Sequence, residues 1–579
     1  MKTSDYIVEL LADKGVDHVF GYQGTMIAHF IDSICKSKKI KNHSCQNEQG
    51  AAFAAVGYAK ATGRTAVAYA TSGPGAVNLF NGIADAYYDS APVVFITGQL
   101  NTHEYTGISD LRQQGFQEMD VVSAVKRFTK YAVQIKKPED IRYEFEKAFY
   151  IAGDGRKGPV LIDLPMDMQN KQIELELLRE FPQVIKNDRK RAEIIAQRIW
   201  EALRQADRPL LLFGNGIVKG SREHQMMLAL VENLQIPVIT SLLGRHLLSA
   251  DHHLNFGYIG AAYGHRYANI LAHKKSDLII SFGCSVCKRQ TGTKSRNFAR
   301  DAKIIRVDID PSELQRKVHD DDTLYCIDCG PVIESLLQLH TKRPDIWDSW
   351  LKTAEQIRLE TEKFDAECQE RKVNHFIELI SDMTDQETEV ICTDVGQHQM
   401  WTGQSYHIKG DQKLLFSGGH GAMGFALPAA IGAHYATGKR TLVLAGDGAM
   451  QMNIQELQWV KRENIPVTIV VLNNRSLGLI RQQQDDFFEG LHFGADPEGG
   501  YSAPSFAEIA KAYGINAYLA EDEKALENIF KDLHTEGPVL VEVLVGDDTG
   551  AYPKTYFGEE MDNQKPYMDK SVLENLLKL

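Results

Sequence analysis

The chain of 579 residues has no apolar run approaching the roughly 18 residues a membrane span needs. It has no long block of like charge, no low-complexity stretch and no evident internal repeat. The first absence argues against a helical membrane span. The second, with a net charge of −13, argues against a nucleic-acid or membrane-surface partner. The opening MKTSDYIVELLADKG reads as an amphipathic helix with acids in it rather than a signal peptide, so a cytoplasmic enzyme is expected. Eight cysteines include two CxxC pairs, Cys284/Cys287 and Cys326/Cys329, but their separation exceeds that of common zinc ribbons and further ligands are missing. They read as thiols in a reducing compartment.

What is present is ordinary globular composition, 43% hydrophobic and 24% charged, at a length that suggests three or four domains. Three blocks alternate helical patterns with short apolar strands. Residues 1–170 place strands near 16–20, 65–70, 93–97 and 160–163; residues 190–340 place them near 210–213, 238–240, 278–281 and 303–307. Residues 372–547 place them near 389–392, 441–444, 467–472 and 539–545. Residues 171–190 read as a polar linker, 340–370 as a charged helical connection, and 548–579 as a tail. The fold class expected is α/β, with three doubly wound parallel sheets.

The third block carries the most informative pattern. Gly446-Asp447-Gly448 follows one buried strand, and Asn473-Asn474 follows the next after 24 residues, with a helix expected over 450–462. Parallel strands of a βαβ unit end on the same edge, so Asp447 and Asn474 converge. Two hard oxygen donors plus phosphate oxygens suit an octahedral Mg²⁺. Gly446, Gly448 and Ala449 let the backbone approach a diphosphate. The pattern resembles the diphosphate-binding signature of thiamine diphosphate (ThDP) enzymes. That chemistry needs one carboxyl beside the aminopyrimidine, and Glu48, in Asn47-Glu48-Gln49-Gly50, is the best candidate. Gly396, Gln397 and His398 follow another strand and would reach the diphosphate by hydrogen bonds; Met423, after Gly421, suits the apolar wedge that bends the cofactor. Each motif alone also fits a plain loop, a helix-dipole acid or a core methionine.

Together the stretches Glu48-Gln49-Gly50-Ala51, Thr71-Ser72-Gly73-Pro74-Gly75-Ala76, Phe116-Gln117-Glu118, Gly158-Pro159-Val160, Asp394 to Trp401 and Met423-Gly424-Phe425 resemble the acetolactate synthase large-subunit family along nearly the whole chain. The resemblance implies a pyrimidine-binding domain (1–170), a central nucleotide-fold domain (190–340) and a diphosphate-binding domain (372–547). It implies that Glu48 of one subunit serves the site of another, hence a homodimer or homotetramer with shared sites. It assigns the Gly421 carbonyl and the Met423 backbone to the aminopyrimidine, the Ser476 carbonyl to the metal, and Phe116 and Gln117 to the flanks of the reacting carbon.

Three positions depart from the family: Met166 stands for a lysine, Gln483 for a tryptophan that selects the second 2-oxo acid, and His420 for a leucine. Arg289 matches a family arginine that holds the substrate carboxylate. The family often carries FAD on its central domain; Gly214-Asn215-Gly216 and Asp308-Ile309-Asp310 fit such a fold, but Ser285-Val286-Cys287-Lys288 replaces the usual Arg-Phe-Asp-Asp, which leaves FAD open. The function expected is a ThDP- and Mg²⁺-dependent carboligase that decarboxylates a 2-oxo acid, pyruvate first, and transfers the acyl carbanion equivalent to a second carbonyl. The alternatives are a simple decarboxylase, or an acyl transferase onto a larger polar ketone such as a keto-sugar nucleotide; the tail at 558–569 is similar to tails of acetolactate-synthase-like proteins of surface-polysaccharide pathways. A non-catalytic relative is the alternative of another class, and an intact Glu48, Asp447 and Asn474 speak against it.

Overall fold

The computed structural model describes all residues except 109, 184–187, 340–341, 534–535 and 557. Three six-stranded, wholly parallel sheets organise the chain. The first comprises β1 (His18–Gly21), β2 (Lys41–Ser44), β3 (Ala66–Ala70), β4 (Val93–Gln99), β5 (Tyr131–Gln134) and β6 (Val160–Pro165), in the order β2-β1-β3-β4-β6-β5. The central sheet comprises β7 (Pro209–Phe213), β8 (Val238–Thr240), β9 (Asn255–Tyr258), β10 (Leu278–Phe282), β11 (Lys303–Asp308) and β12 (Thr323–Cys326), in the order β12-β11-β10-β7-β8-β9. The third comprises β13 (Val390–Thr393), β14 (Lys413–Phe416), β15 (Thr441–Gly446), β16 (Val467–Asn473), β17 (Asn516–Ala520) and β18 (Val539–Leu544), in the order β14-β13-β15-β16-β18-β17. Helices cover both faces, which is why β3, β4 and β16 are buried at every residue and read as continuous apolar runs.

The first and third sheets meet through two alanine- and glycine-rich helices, Glu48–Thr62 and Ala426–Thr437. Gly57 lies on the backbone of Ala429, and Gly432 on the backbone of Ala54; a Cβ at either position would overlap the facing carbonyl oxygen. This close approach fixes the two domains to each other within one chain.

Two features differ from the sequence-based expectation. The helix expected over 450–462 is broken into a helix Asp447–Gln451, a 3-10 turn Ile454–Glu456 and a helix Leu457–Arg462. Asn453 sits in the break, and its Nδ2 donates to the Gly424 carbonyl at 2.8 Å, so the interruption serves a loop across the domain. The C-terminal residues are not a free tail. Met561, Met568, Leu573 and Leu576 enter the core of the central domain, which the long helix Ile346–Glu367 also joins through Trp350, Ala354 and Ile357. Of the segment 171–190, residues 184–187 lie outside the described residues. No described helix is long and apolar enough to cross a membrane.

Candidate active site

The densest polar chemistry lies where β13, β15 and β16 end. Gly446 pairs with Leu472, so Asp447 and Asn474 leave the same edge side by side. Both are buried. The Asn474 amide donates to Gln397 Oε1 at 3.0 Å and to Thr549 Oγ1 at 3.3 Å, and Gln397 Nε2 donates to the Thr549 carbonyl at 2.9 Å. Four buried polar atoms here have no partner: Asp447 Oδ2, Ser476 Oγ, His398 Nε2 and the Tyr501 hydroxyl. The Tyr501 hydroxyl lies beside the Asp447 carboxyl without a well-formed hydrogen bond to it. Each such orphan costs about 1–3 kcal/mol, and four in one place mark a site shaped for a ligand. Burial lifts the Asp447 carboxyl to about 6 and holds the His398 imidazole down at about 3, so the histidine is neutral. The glycines make the space. A Cβ on Gly446 would stand 2.8 Å from His398 Nδ1, one on Gly396 would stand 2.5 Å from its Cε1, and one on Gly448 would stand 2.5 Å from Leu477 and 3.4 Å from the Met423 methyl. Ala449 is buried beside them. A carboxylate, an amide oxygen and Ser476, with neutral donors around them, match the donor chemistry of a magnesium-bound diphosphate.

The loop 417–424 is held against this edge from both sides. Asp394, at the end of β13, accepts backbone N–H bonds from Val395 (2.8 Å), Gly424 (2.9 Å) and Ala426 (2.9 Å), and burial lifts its carboxyl to about 6. From the first domain, Asp89 accepts from the amides of Gly418 (2.9 Å) and Gly419 (2.6 Å), and Asp85 accepts from Ser417. Buried Lys60 spans both acids and the Phe416 carbonyl. Gly421, at φ +72°, and Met423 ride on this braced loop.

The first sheet presents its own cluster. Glu48 opens its helix behind the Asn47 cap, is buried, and accepts from Asn78 Nδ2 at 2.9 Å. Gly75 lies against it, because a Cβ there would stand 2.9 Å from Glu48 Oε1. The Gly73 turn touches the Gln117 carbonyl, and Gln117 itself holds φ +61°. Phe116 beside it is 79% exposed. Among the described residues no hydrogen bond joins Glu48, Phe116 or Gln117 to Asp447, Asn474 or Ser476.

The four residues expected to line a substrate pocket are not gathered in one place. Arg289 is exposed and its Nη1 reaches the Gly418 carbonyl at 3.5 Å. His420 is exposed on the same loop, bonded through Nε2 to Asn81 Oδ1 at 2.8 Å and stacked on Tyr88 at 5.7 Å. Met166 instead lines a cavity of about 350 Å³ in the first domain, with His29, Asn101, Asp167, Asn170 and Lys171. Gln483 is exposed on the helix Gly478–Phe487, in one stripe with Ile480 and Phe487, while its neighbours Gln482 and Gln484 are buried.

Sequence reading missed Thr549, Tyr501 and the bracing role of Asp394. Asp394 carried a signal, an acid directly after a buried strand, as Asp447 does. Thr549 carried none: Asp-Asp-Thr-Gly is plain loop composition, and only folding brings residues 549–551 over Gln397, Trp401 and Gln482. In the central domain the amides of Gly214 and Gly216 are already bonded to the Phe282 and Gly283 carbonyls, and Arg156 is paired with Asp310 and Glu313. Those two amides and that guanidinium are therefore not free to bind a dinucleotide phosphate.

Comparison with known proteins agrees with this geometry. Three family models match: the thiamine pyrophosphate enzyme N-terminal TPP binding domain over residues 1–124, the central domain over 196–336, and the C-terminal TPP binding domain over 394–543. The acetolactate synthase large subunit of Lactococcus lactis is 35% identical over 566 residues, covering 96% of this chain and 95% of the relative. The probable acetolactate synthase large subunit of Methanocaldococcus jannaschii is 34% identical over 592 residues, with 97% and 95% covered. The chloroplastic acetolactate synthase 1 of Oryza sativa is 35% identical over 558 residues, with 94% and 84% covered. On sequence over nearly its full length and on all three domains, the chain belongs to the acetolactate synthase large-subunit family of thiamine diphosphate enzymes.

Proposed function

We propose that the protein is a ThDP- and Mg²⁺-dependent carboligase that removes CO₂ from pyruvate, or a similar 2-oxo acid, and joins the remaining acyl unit to a second carbonyl. The observation that carries this reading is the group of orphaned buried atoms, Asp447 Oδ2, Ser476 Oγ and His398 Nε2, at adjoining strand ends. Asp447, Asn474 and the Ser476 carbonyl would hold Mg²⁺. Gln397 and neutral His398 would bond the diphosphate, and Gly396, Gly446, Gly448 and Ala449 would admit it. When bound, the cofactor supplies a carbon nucleophile and an electron sink for decarboxylation.

The chain's own residues do the rest. Glu48, fixed by Asn78, holds the proton exchanged with the aminopyrimidine ring nitrogen. The Gly421 carbonyl and the Met423 backbone orient that ring, and the Met423 side chain, packed toward Gly448, wedges it. Phe116 and Gln117 would flank the reacting carbon. Following the family resemblance, we assign Glu48 and Asp447 to a site shared by two subunits, in a homodimer or homotetramer. Exposed Ile108, Leu111 and Phe116 on the first domain, and Phe487, Phe488 and Phe493 on the third, supply apolar surface for that contact.

A second reading concerns the acceptor. His420, pinned by Asn81 and Tyr88, adds a polar group to this loop where the family has a leucine, beside Arg289, the cation that the family shares. Together they favour a larger polar carbonyl compound over a second pyruvate. Mass analysis of the products from pyruvate with a panel of carbonyl acceptors tests both readings. Acetolactate as the sole product at every acceptor removes the second; no CO₂ release from any 2-oxo acid removes the first.

A further inference from the structure

The junction between the outer domains holds a buried acid that the proposed reaction does not use. Glu456 belongs to the third domain, in the 3-10 turn that follows the Asp447 helix, and it is fully buried. Its carboxylate does not serve its own domain. Oε1 accepts from the amides of Gln46 (3.2 Å) and Asn47 (3.1 Å), and Oε2 accepts from Gln46 at 3.1 Å. Those amides lie immediately before Glu48. The carboxylate occupies the space that a side chain on Gly50 would need: a Cβ there would overlap Oε1. A third-domain acid thus holds the backbone just ahead of the first-domain helix that Asn47 caps and Glu48 begins. Asn453, three residues earlier, holds the Gly424 carbonyl, so one short segment touches both the Met423 loop and the Glu48 helix.

We propose that Glu456 is a positioning residue for Glu48: its ionised carboxylate fixes the backbone at Gln46 and Asn47, and with it the direction of the Glu48 side chain. This rests on the role given to Glu48 above. Two oxygens that both accept N–H bonds favour the carboxylate, since a protonated oxygen would turn an O–H toward an N–H. Burial works the other way and pushes Glu456 up to about 7. Arg462 on its own segment, and Cys45 and Glu48 across the junction, are the charged or titratable groups that face this region. The hold on Glu48 therefore strengthens as pH rises through about 7.

The test follows deuterium exchange at C2 of bound ThDP by NMR, from pH 5.5 to 8.5, in the Mg²⁺ holoenzyme. Misplacing a catalytic group by a fraction of its reach costs orders of magnitude. In Glu456→Gln the amide NH₂ faces the Gln46 amide, so exchange at pH 8 should fall roughly 10-fold or more. Calorimetric ThDP affinity should stay within about threefold, and the rise in rate through pH 7 should disappear. Glu456→Asp, which keeps the charge, should restore part of the rate. If Glu456→Gln does not fold, Gly50→Ala carries the test, because its methyl displaces the same carboxylate while both acids remain; it should show the same loss of the pH 7 inflection. A folded, ThDP-binding Glu456→Gln or Gly50→Ala enzyme with the wild-type exchange profile overturns the proposal. Failure of the wild-type protein to bind ThDP or exchange C2 overturns the functional reading instead.

Discussion

The first and third sheets are topological twins. Adding twelve to each strand number of the order β2-β1-β3-β4-β6-β5 gives β14-β13-β15-β16-β18-β17, and the two facing helices occupy equivalent positions after β2 and β14. Their chemistry at the strand ends is opposite. The first leaves its acid satisfied, with Glu48 bonded to Asn78. The third leaves Asp447, Ser476, His398 and Tyr501 with unpaired atoms. One scaffold used twice thus carries a bonded acid on one copy and a group of unpaired polar atoms on the other. The difference teaches that function here resides in which edge atoms are left unbonded, not in the fold, which is the same.

The comparison breaks most severely at Asp447. Asp447→Ala removes the one charged donor of the unpaired set, and ThDP affinity in the presence of Mg²⁺ should fall roughly 100-fold or more, beyond what loss of a supporting group costs. Unchanged affinity by calorimetry would mean that the orphaned atoms serve some other ligand. Glu48→Gln attacks the twin. Its amide still bonds Asn78, so ThDP should bind normally, but C2 exchange should slow by roughly 10²-fold, the scale of general acid–base contributions. A variant that loses binding instead of exchange would merge the two roles that the comparison separates.

A smaller effect lies where the twins touch. Gly432→Ala places a methyl on the Ala54 carbonyl, and backbone on both sides leaves no side chain to yield. We expect about 1–3 kcal/mol of destabilisation, the usual cost of overpacking. Equal thermal stability of variant and wild type would show that the interhelical seam opens freely.

How much of this was legible beforehand divides along the sheets in the same way. Every one of the twelve strands expected from sequence is present, with ends displaced by a few residues. The six that escaped, β2, β5, β9, β12, β14 and β17, are the two edge strands of each sheet. Interior strands are covered on both faces and spell unbroken apolar runs. Edge strands need not, and KNHS in β2 or NAYLA in β17 keep polar or exposed residues that mask the period. The Asp447–Asn474 pair was legible because parallel strand ends coincide by geometry. The supports were not. Thr549, Tyr501 and Glu456 reach their partners from far along the chain, and nothing local marks them. Nor did sequence reading find a repeat. Yet the equivalent strands β6 and β18 share Gly-Pro-Val-Leu, then an aliphatic residue and an acid: residues 158–163 are GPVLID and residues 537–542 are GPVLVE.

Those two acids allow the finest test of the comparison. Asp163 and Glu542 sit at the same place in twin strands, both buried. Asp163 accepts from Thr97 Oγ1 (2.7 Å) through one oxygen, and from Gln99 (3.2 Å) and Gln134 (2.9 Å) through the other. An asparagine can satisfy all three, because a threonine hydroxyl can accept as well as donate. Glu542 accepts from Asn473 Nδ2 (2.7 Å) through one oxygen, and from Ser505 Oγ (3.2 Å) and the Ala507 amide (2.9 Å) through the other. A glutamine there must turn its NH₂ toward an N–H donor. Glu542→Gln should therefore lose about 1–3 kcal/mol, the penalty for an unmatched buried group. Asp163→Asn should differ in sign and in pH dependence. Burial lifts the Asp163 carboxyl to about 7, above its unfolded value of 3.8, so the folded state binds its proton more tightly. The stability this contributes is complete at low pH and is lost as pH rises through about 7. Asparagine has no such loss. Between pH 5.5 and 7.5 the thermal stability of Asp163→Asn should improve relative to wild type by roughly 1–2 kcal/mol. A constant difference across that range would mean that Asp163 keeps one protonation state throughout it, and that burial does not set its titration there.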